Sequence, residues 1–232
     1  MSGPSPASHP MNPTPAATLA NLAAQVGIAI DADVAGRLVA YLEALLALNE
    51  EVNLTAIRTL EEGISRHLVD GLAVGLHVAD IGTTPGTALD IGTGGGFPAV
   101  PMAALLRTCR VTALDGTRKK TEAVRKLAAS AGIPLTVRWG RAEELAASAD
   151  PLRGTTDLVT LRAVAPLAKV VGLAAPFLRR GGHLVAWKSR TITEAELAEG
   201  IAIARSRRLE RLPDIDYEAG QPARLIRFRR LP

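Results

Sequence analysis

The segment ALDIGTGGGFP, residues 88–98, puts an acid and a glycine cluster where an apolar strand gives way to a helix. Asp90 precedes Gly92, Gly94, Gly95 and Gly96, and Phe97 and Pro98 follow. Glycines let the backbone turn sharply and lie close against a ligand. Pro98 suits a first helical position, where its missing N–H costs nothing. A phosphate-binding P-loop is excluded, because no Gly-Lys-Ser/Thr follows. A dinucleotide fingerprint fits when Gly94, Gly96 and Ala99 are read as G-x-G-x-x-A. Counted from Gly92, that register fails at Phe97. A carboxylate at Asp90 suits a cationic amino-acid ligand, directly or through water, better than a pyrophosphate. S-adenosylmethionine, with an ammonium and a sulfonium, is such a ligand.

The next strand, RVTALD, ends at Asp115, 23 positions after Gly92. An acid there can accept hydrogen bonds from both ribose hydroxyls, and dinucleotide and methyl-donor enzymes share that feature. The competing role is to cap the helix that starts near Thr117. After a third strand comes GRAEEL, where Ala142 and Glu143 would lie beside an adenine; helix-start charge accounts for Glu143 equally well. The fourth strand runs into Arg162 in DLVTLRAVAP. Methyltransferases that attack exocyclic base amines usually carry Asp/Asn-Pro-Pro-aromatic there, and this chain does not. Those that attack carbon five of pyrimidines use a cysteine. The one cysteine, Cys109, stands before the second strand and reads as a buried structural residue. A methyl acceptor that needs neither device is left.

The elements that must hold these residues follow from the apolar rhythm. From Thr87 onward, strand, turn and helix repeat: TALDIG, RVTALD, LTVRWG, DLVTLRA and HLVAWKS are strands, and PAVPMAALLR and RKKTEAVRKLAASAG are helical. Two more strands fall near residues 208–217 and 224–230. This predicts an α/β fold: a Rossmann-like methyltransferase sheet of about seven mostly parallel strands with helices on both faces. Residues 18–80 read as an N-terminal helical cap, with Asp31 or Asp33 capping a helix through Leu38, Tyr41, Leu42, Leu45 and Leu46. A break over 49–55 separates it from a second helix carrying Ile64, Leu68 and Leu72. The proline-rich residues 1–17 read as a disordered leader, residues 18–232 as one domain, and 87–232 as its core.

The 232 residues carry a formal charge of +4 and a pI near 9.6, which permits a polyanionic partner without requiring one. Aromatic residues, at 3%, are too few for a stacking surface for single strands. One cysteine excludes a disulfide framework and the usual zinc clusters, and a reducing cytoplasm fits. The expectation is no metal and no membrane span.

The chain resembles the bacterial small-subunit ribosomal RNA guanine-N(7) methyltransferases, also called the glucose-inhibited division protein B family. The resemblance rests on four blocks between about Asn49 and Leu167: NEEVNLTAIRTLEEGISRHLVDGLAV, LDIGTGGGFPAVPMA, LDGTRKKTEAVRKLA and LVTLRAVAPL. The Asn-Leu-Thr-Ala and Arg-His-Leu-x-Asp pieces make it specific, since methyltransferases in general lack them. It implies that Gly92, Phe97, the Asp115–Gly116–Thr117 turn, Ala142, Glu143 and Arg162 hold S-adenosylmethionine. It also implies a guanine of 16S ribosomal RNA, or of the small ribosomal subunit particle, as substrate.

Nitrogen 7 of guanine has a free lone pair and no proton, so it is a nucleophile without a general base. Catalysis then reduces to placement, with reacting atoms about 3–3.5 Å apart and in line. Arg162 and Lys188 are candidate donors to the guanine O6. Arg58, Arg66, His67, Arg118, Lys119, Lys120 and Arg190 are candidate phosphate contacts or plain surface residues, with a buried structural role the alternative for His67. The arginines between Arg205 and Arg230 alternate with acids and read as solvated strand faces. A small-molecule methyltransferase or a nicotinamide-dependent oxidoreductase are the competing functions.

Overall fold

A computed structural model describes residues 12–162 and 165–232, so most of the leader expectation lies outside the described residues. Helix α1, Pro15–Gln25, begins inside the expected leader. Pro15 takes a first helical position and the Thr14 hydroxyl accepts from the Ala17 N–H, so the prolines there start a helix instead of preventing one. Helix α2, Ala32–Val52, is capped by Asp31. Leu38, Tyr41, Leu42 and Leu45 on its inner face are fully buried, each contributing roughly 1.5–3 kcal/mol of transfer free energy. Asn53 ends α2 in the left-handed region, and the chain turns out into an irregular stretch.

Helix α3, Leu60–Gly63, continues through a π-helical turn, Ile64–Val69, into α4, Asp70–Leu72, and α5, Val74–Ile81. The sequence reads this stretch as one ordinary helix, because Ile64, Leu68 and Leu72 do form a buried stripe. The wider turn is a difference from that reading, and such turns concentrate at functional sites.

The remainder alternates: β1 Thr87–Ile91, α6 Ala99–Leu105, β2 Arg110–Asp115, α7 Arg118–Ser130, β3 Thr136–Trp139, α8 Ala142–Ala147, β4 Thr156–Arg162, α9 Leu167–Ala174, β5 Leu178–Ser189, α10 Glu194–Ser206, β6 Leu209–Glu218 and β7 Pro222–Arg230. The seven strands form one sheet in the order β3-β2-β1-β4-β5-β7-β6, parallel except where β7 joins β5 and β6. The expected fold class is the observed one. Between β1 and β4 the strand order reverses. Connections leave in opposite directions there, opening a crevice beyond the carboxyl ends of the strands, where ligands of such sheets bind.

Side chains alternate across the sheet. Leu89 and Ile91 pack against α9 and its neighbours, while Ala88 joins the core beneath the N-terminal helices. Asp90 falls on that second face, opposite Thr160 in register. Cys109 is buried ahead of β2, as expected, and burial pushes its thiol up to about 11, which makes it inert. Arg227 corrects one expectation. It is buried on β7, donating to Asp80 and to the Pro213 carbonyl, because the terminal hairpin folds one face back onto α5.

Candidate functional site

The glycine turn is held from below, from the side and from above. Its amides at Gly92 and Thr93 both donate to the Leu114 carbonyl, at 2.8 and 3.0 Å, which fixes the turn to β2. Gly94 has φ +56° and open space where a side chain would stand. Gly96 has φ +89°, and a Cβ there would collide with the Tyr41 hydroxyl and Val100. That hydroxyl donates to the Gly95 carbonyl at 2.9 Å, and complete burial keeps it protonated by pushing its pKa far up. Helix α2 thus rests on the turn, and the helical cap becomes a wall of the site.

Asp115 clamps the turn from the side. One carboxylate oxygen accepts from the Gly94 N–H at 2.9 Å and the other from the Thr117 N–H at 2.8 Å. Both roles read from the sequence meet in one residue: Asp115 orders the start of α7 and keeps lone pairs free, each oxygen having two. Next to it the Gly116 carbonyl accepts from the exposed Trp139 indole, and Gly140 donates to the Asp115 carbonyl, so the ends of β2 and β3 are tied together. Ala142 is buried at the first turn of α8, and Glu143 beside it is exposed.

Beneath the turn lies Asp90, 1% exposed, accepting from the Thr160 hydroxyl at 2.9 Å. Its second oxygen, and the hydroxyl of buried Thr93, make no hydrogen bond among the described residues. Burial pushes the Asp90 carboxyl up to about 6, against the pull of the Thr160 hydroxyl and of the Thr93 hydroxyl, which lies near the second oxygen without completing a hydrogen bond to it. A buried acid with an unpaired oxygen below an open glycine turn is the environment a ligand ammonium or a bound water completes. The residues therefore fit an amino-acid-bearing nucleoside such as S-adenosylmethionine.

A second cleft of about 380 Å³ opens beside the turn, past the ends of β4 and β5, with Thr55, His67, Asp70, Arg162 and Trp187 among its walls. Arg162 is not a free cation. Its guanidinium donates to Asp70 at 2.8 Å, to the Arg66 carbonyl at 3.0 Å and to His67 Nδ1 at 2.8 Å, and it lies over the Phe97 ring. Asp70 takes its remaining bond from the Tyr217 hydroxyl at 2.5 Å, and its carbonyl accepts from the Trp187 indole. His67 stacks on Phe97 with centroids 4.4 Å apart. Burial and the Arg162 charge push its pKa down to about 3, so the ring is neutral.

Lys188, expected to face the substrate, is tied at 2.7 Å to both the Ala165 carbonyl and Glu196. Arg58 is exposed and donates to the Thr55 carbonyl, and Arg66 pairs with Glu62. Arg118 and Lys119 are exposed at the start of α7, Lys120 is half-buried there, and Arg190 lies near Asp216. The structure brings Phe97, His67 and Arg162 into one stack, and leaves Arg58, Arg118 and Lys119 exposed outside it. Sequence reasoning missed Asp70, Tyr217 and Trp187 as individual residues, and read Tyr41 only as an apolar helix position. Only Asp70 had a signal, as the last member of Arg-His-Leu-x-Asp. Among the described residues no acid, histidine or cysteine cluster could hold a metal ion, and no helix is long and apolar enough to cross a membrane.

Residues 35–214 match the family model GidB, described as rRNA small subunit methyltransferase G. A ribosomal RNA small subunit methyltransferase G of Deinococcus radiodurans is 45% identical over 68% of this chain and 62% of its own length, and that of Sorangium cellulosum 36% over 80% and 77%. The match thus spans less than two thirds of the first relative. Among solved structures, the cofactor-bound Rv0187 protein from MTB superposes over 94% of this chain and 98% of its own with TM-score 0.58 at 20% identity. A proposed O-methyltransferase from Klebsiella pneumoniae does so over 93% and 97% with TM-score 0.57 at 16% identity. At those identities the likeness is one of fold.

Proposed function

The chain belongs to the GidB family of small-subunit ribosomal RNA methyltransferases, and from that membership we propose that it transfers a methyl group from S-adenosylmethionine to nitrogen 7 of a guanine in 16S ribosomal RNA. The observation that carries the donor half is the unpaired oxygen of buried Asp90 beneath the open Gly94 turn, with Asp115 clamping that turn from the side. When bound, the donor supplies an electrophilic methyl on a sulfonium. Gly92, Gly94, Gly96 and Phe97 shape its cradle, Asp90 meets its ammonium, and the Asp115–Gly116–Thr117 turn receives the ribose. Ala142 and Glu143 stand where the adenine edge would be read.

The acceptor half rests on the chemistry the cleft can and cannot do. Its histidine is neutral with both ring nitrogens engaged, its arginine is paired, and its cysteine is elsewhere. A base-free acceptor suits such a cleft, and guanine N7 carries no proton to remove. The lone pair forms the N–CH₃ bond as the S–CH₃ bond breaks, and the positive charge passes to the purine. What the chain contributes is orientation, which can lower a barrier by up to roughly 7–11 kcal/mol. The acceptor enters as 16S RNA or a small-subunit particle, and the cytoplasm is the expected place of work.

The test is product mapping. 7-Methylguanine makes RNA cleavable by borohydride followed by aniline. Treated 16S RNA from reactions with enzyme and donor should break at one guanine, and RNA from enzyme-free controls should not. Methyl incorporation without that break refutes the N7 assignment. Binding of NADH in place of S-adenosylhomocysteine refutes the donor assignment.

A further inference from the structure

We propose that the Thr55 hydroxyl is the group that selects guanine, donating a hydrogen bond to O6 of the acceptor base from a relay whose proton order is fixed by Arg162 and His67. The proposal rests on the guanine reading above and names the residue that would enforce it.

The proton order follows from what each group can do. A guanidinium only donates, so His67 Nδ1, 2.8 Å from Arg162, must accept. A neutral imidazole carries one N–H, which therefore sits on Nε2. The low pKa of His67 agrees with a single ring proton. Nε2 lies 2.6 Å from the Thr55 hydroxyl oxygen and donates to it. The Ile57 N–H donates to that same oxygen at 3.1 Å. Both hydroxyl lone pairs are thereby used, and its proton has no acceptor among the described residues. Thr55 is half-buried and lines the cleft. It therefore presents a donor that cannot act as an acceptor.

The threonine is also fixed in place. Buried Asn49 accepts from the N–H groups of Leu54 and Thr55 at 2.6 and 2.8 Å and donates to the Thr55 carbonyl at 2.9 Å. A loop outside any helix is thus held by one side chain on both sides of its backbone, and the Leu54 carbonyl lies so close to Gly95 of the donor turn that a Cβ there would crowd it. The hydroxyl stands at the junction of the donor cradle and the acceptor cleft.

A donor-only hydroxyl discriminates between purines. Beside N7, guanine offers the O6 acceptor and adenine offers the N6 amino donor. Guanine satisfies Thr55. Adenine sets donor against donor, and Thr55 cannot invert because both lone pairs are occupied. Sites built to hydrogen-bond a substrate group reject analogues lacking it far more strongly than apolar pockets reject size changes. The neutral hydroxyl also suits the reaction. A purine gaining positive charge at N7 would be opposed by an unpaired cation, whereas the Arg162 charge is neutralised by Asp70 and reaches the base only as the polarity of the relay. Arg162 and His67 are positioning residues in this scheme.

The test combines two variants, a substrate analogue and one spectrum. Thr55→Val removes the hydroxyl at constant shape, and Thr55→Ser restores it. Thr55→Val should melt lower, because the Ile57 N–H and His67 Nε2–H lose their acceptor, but should keep its affinity for S-adenosylhomocysteine. It should lose about tenfold or more in kcat/KM for RNA methylation, the size of one hydrogen bond, and Thr55→Ser should recover most of it. RNA carrying 2-aminopurine at the target lacks O6. The wild-type enzyme should lose a similar factor on that RNA, and Thr55→Val should not distinguish it from guanine. Nitrogen-15 NMR of the His67 ring should show its proton on Nε2, a readout independent of activity and of any variant's folding. An Nδ1–H tautomer, equal wild-type rates on guanine and 2-aminopurine, or undiminished Thr55→Val activity would each overturn the proposal while N7 methylation itself stood. A wild-type product that is not 7-methylguanine would instead overturn the functional reading, and this proposal with it.

Discussion

Replacing Asp90 by asparagine should make the ligand-free protein more stable at neutral pH while weakening its hold on the methyl donor. The carboxyl is buried, with one oxygen unpaired, and burial lifts its pKa from 3.8 to about 6. A shift of about two units corresponds to about 3 kcal/mol, at roughly 1.4 kcal/mol per unit. The sign follows from proton binding. Between about pH 4 and 6 the folded protein holds this proton and the unfolded chain has released it, so stability falls as pH rises through that window. Above about pH 6 the whole penalty is present. Asparagine carries no charge to desolvate and keeps an acceptor for Thr160, so the penalty disappears.

Urea denaturation of both proteins without ligand, from pH 4 to 8, measures the effect. Other carboxyls, such as Asp150 and Glu196, are held low by their ion pairs with Arg138 and Lys188 and favour the folded state as pH rises. The informative quantity is therefore the difference between the two proteins. It should grow by about 3 kcal/mol in favour of the variant between pH 4 and 7. Calorimetry with S-adenosylhomocysteine should give the opposite ranking. Its ammonium favours ionised Asp90, so wild-type affinity should drop by up to about tenfold per pH unit below about 6, and the variant should bind weakly throughout. A pH-independent difference, or a variant less stable than the parent at pH 7.5, would refute this reasoning.

Asp115→Ala should weaken S-adenosylhomocysteine binding by roughly 1–3 kcal/mol and lower the melting temperature, since the Gly94 and Thr117 amides lose their acceptor; unchanged affinity would reduce Asp115 to a helix cap. Gly94→Val should abolish that binding and also cost about 1–3 kcal/mol of stability, because a β-branched residue is strained at φ +56°; calorimetry and melting on one preparation check both, and wild-type affinity would move the donor away from this turn. Asp70→Asn should destabilise by about 3 kcal/mol, the lower end for breaking a largely buried pair. Adding Arg162→Met should recover part of that loss in urea denaturation, and strict additivity of the two changes would show that the pair is not coupled.

The parts of the site legible in the sequence are those whose function is local. The glycine turn is visible because positive φ requires glycine at Gly94 and Gly96, and Asp115 because one strand–helix unit fixes its distance from Gly92. The strands are visible because buried parallel strands are runs of branched apolar residues. What stayed hidden is what depends on distant partners. Nothing near Arg162 says that its acid is Asp70, 92 residues earlier, or that Lys188 would be held by Glu196. The π-helical turn was invisible because Ile64, Leu68 and Leu72 satisfy an ordinary helical period, although the wider turn is where the Arg66 carbonyl and His67 both face Arg162. Arg227 was misread because its charged neighbours suggest a wet strand, and only the fold of the hairpin buries it.

The pairing of cations divides labour across this surface. Inside the cleft Arg162 and Lys188 are neutralised by Asp70 and Glu196, so a base bound there as proposed would meet little net charge while it became cationic. Outside, Arg118, Lys119 and Lys120 begin α7 with no acid in its first turn, although Arg118 pairs with Glu122 at 2.9 Å. A helix N-terminus carries partial positive charge, so cations there are unfavourable by a few tenths of a kcal/mol each. A chain selected for stability alone would place acids at that end, as it does at α3, α8 and α10. The same cations, with exposed Arg58 and Arg141, are well used by a polyanion, whose phosphates meet the dipole and the side chains together. Under the proposed function, attraction of RNA and handling of the reacting base would fall to different groups: exposed charges would gather the backbone, and neutral, proton-ordered groups in the cleft would orient the base.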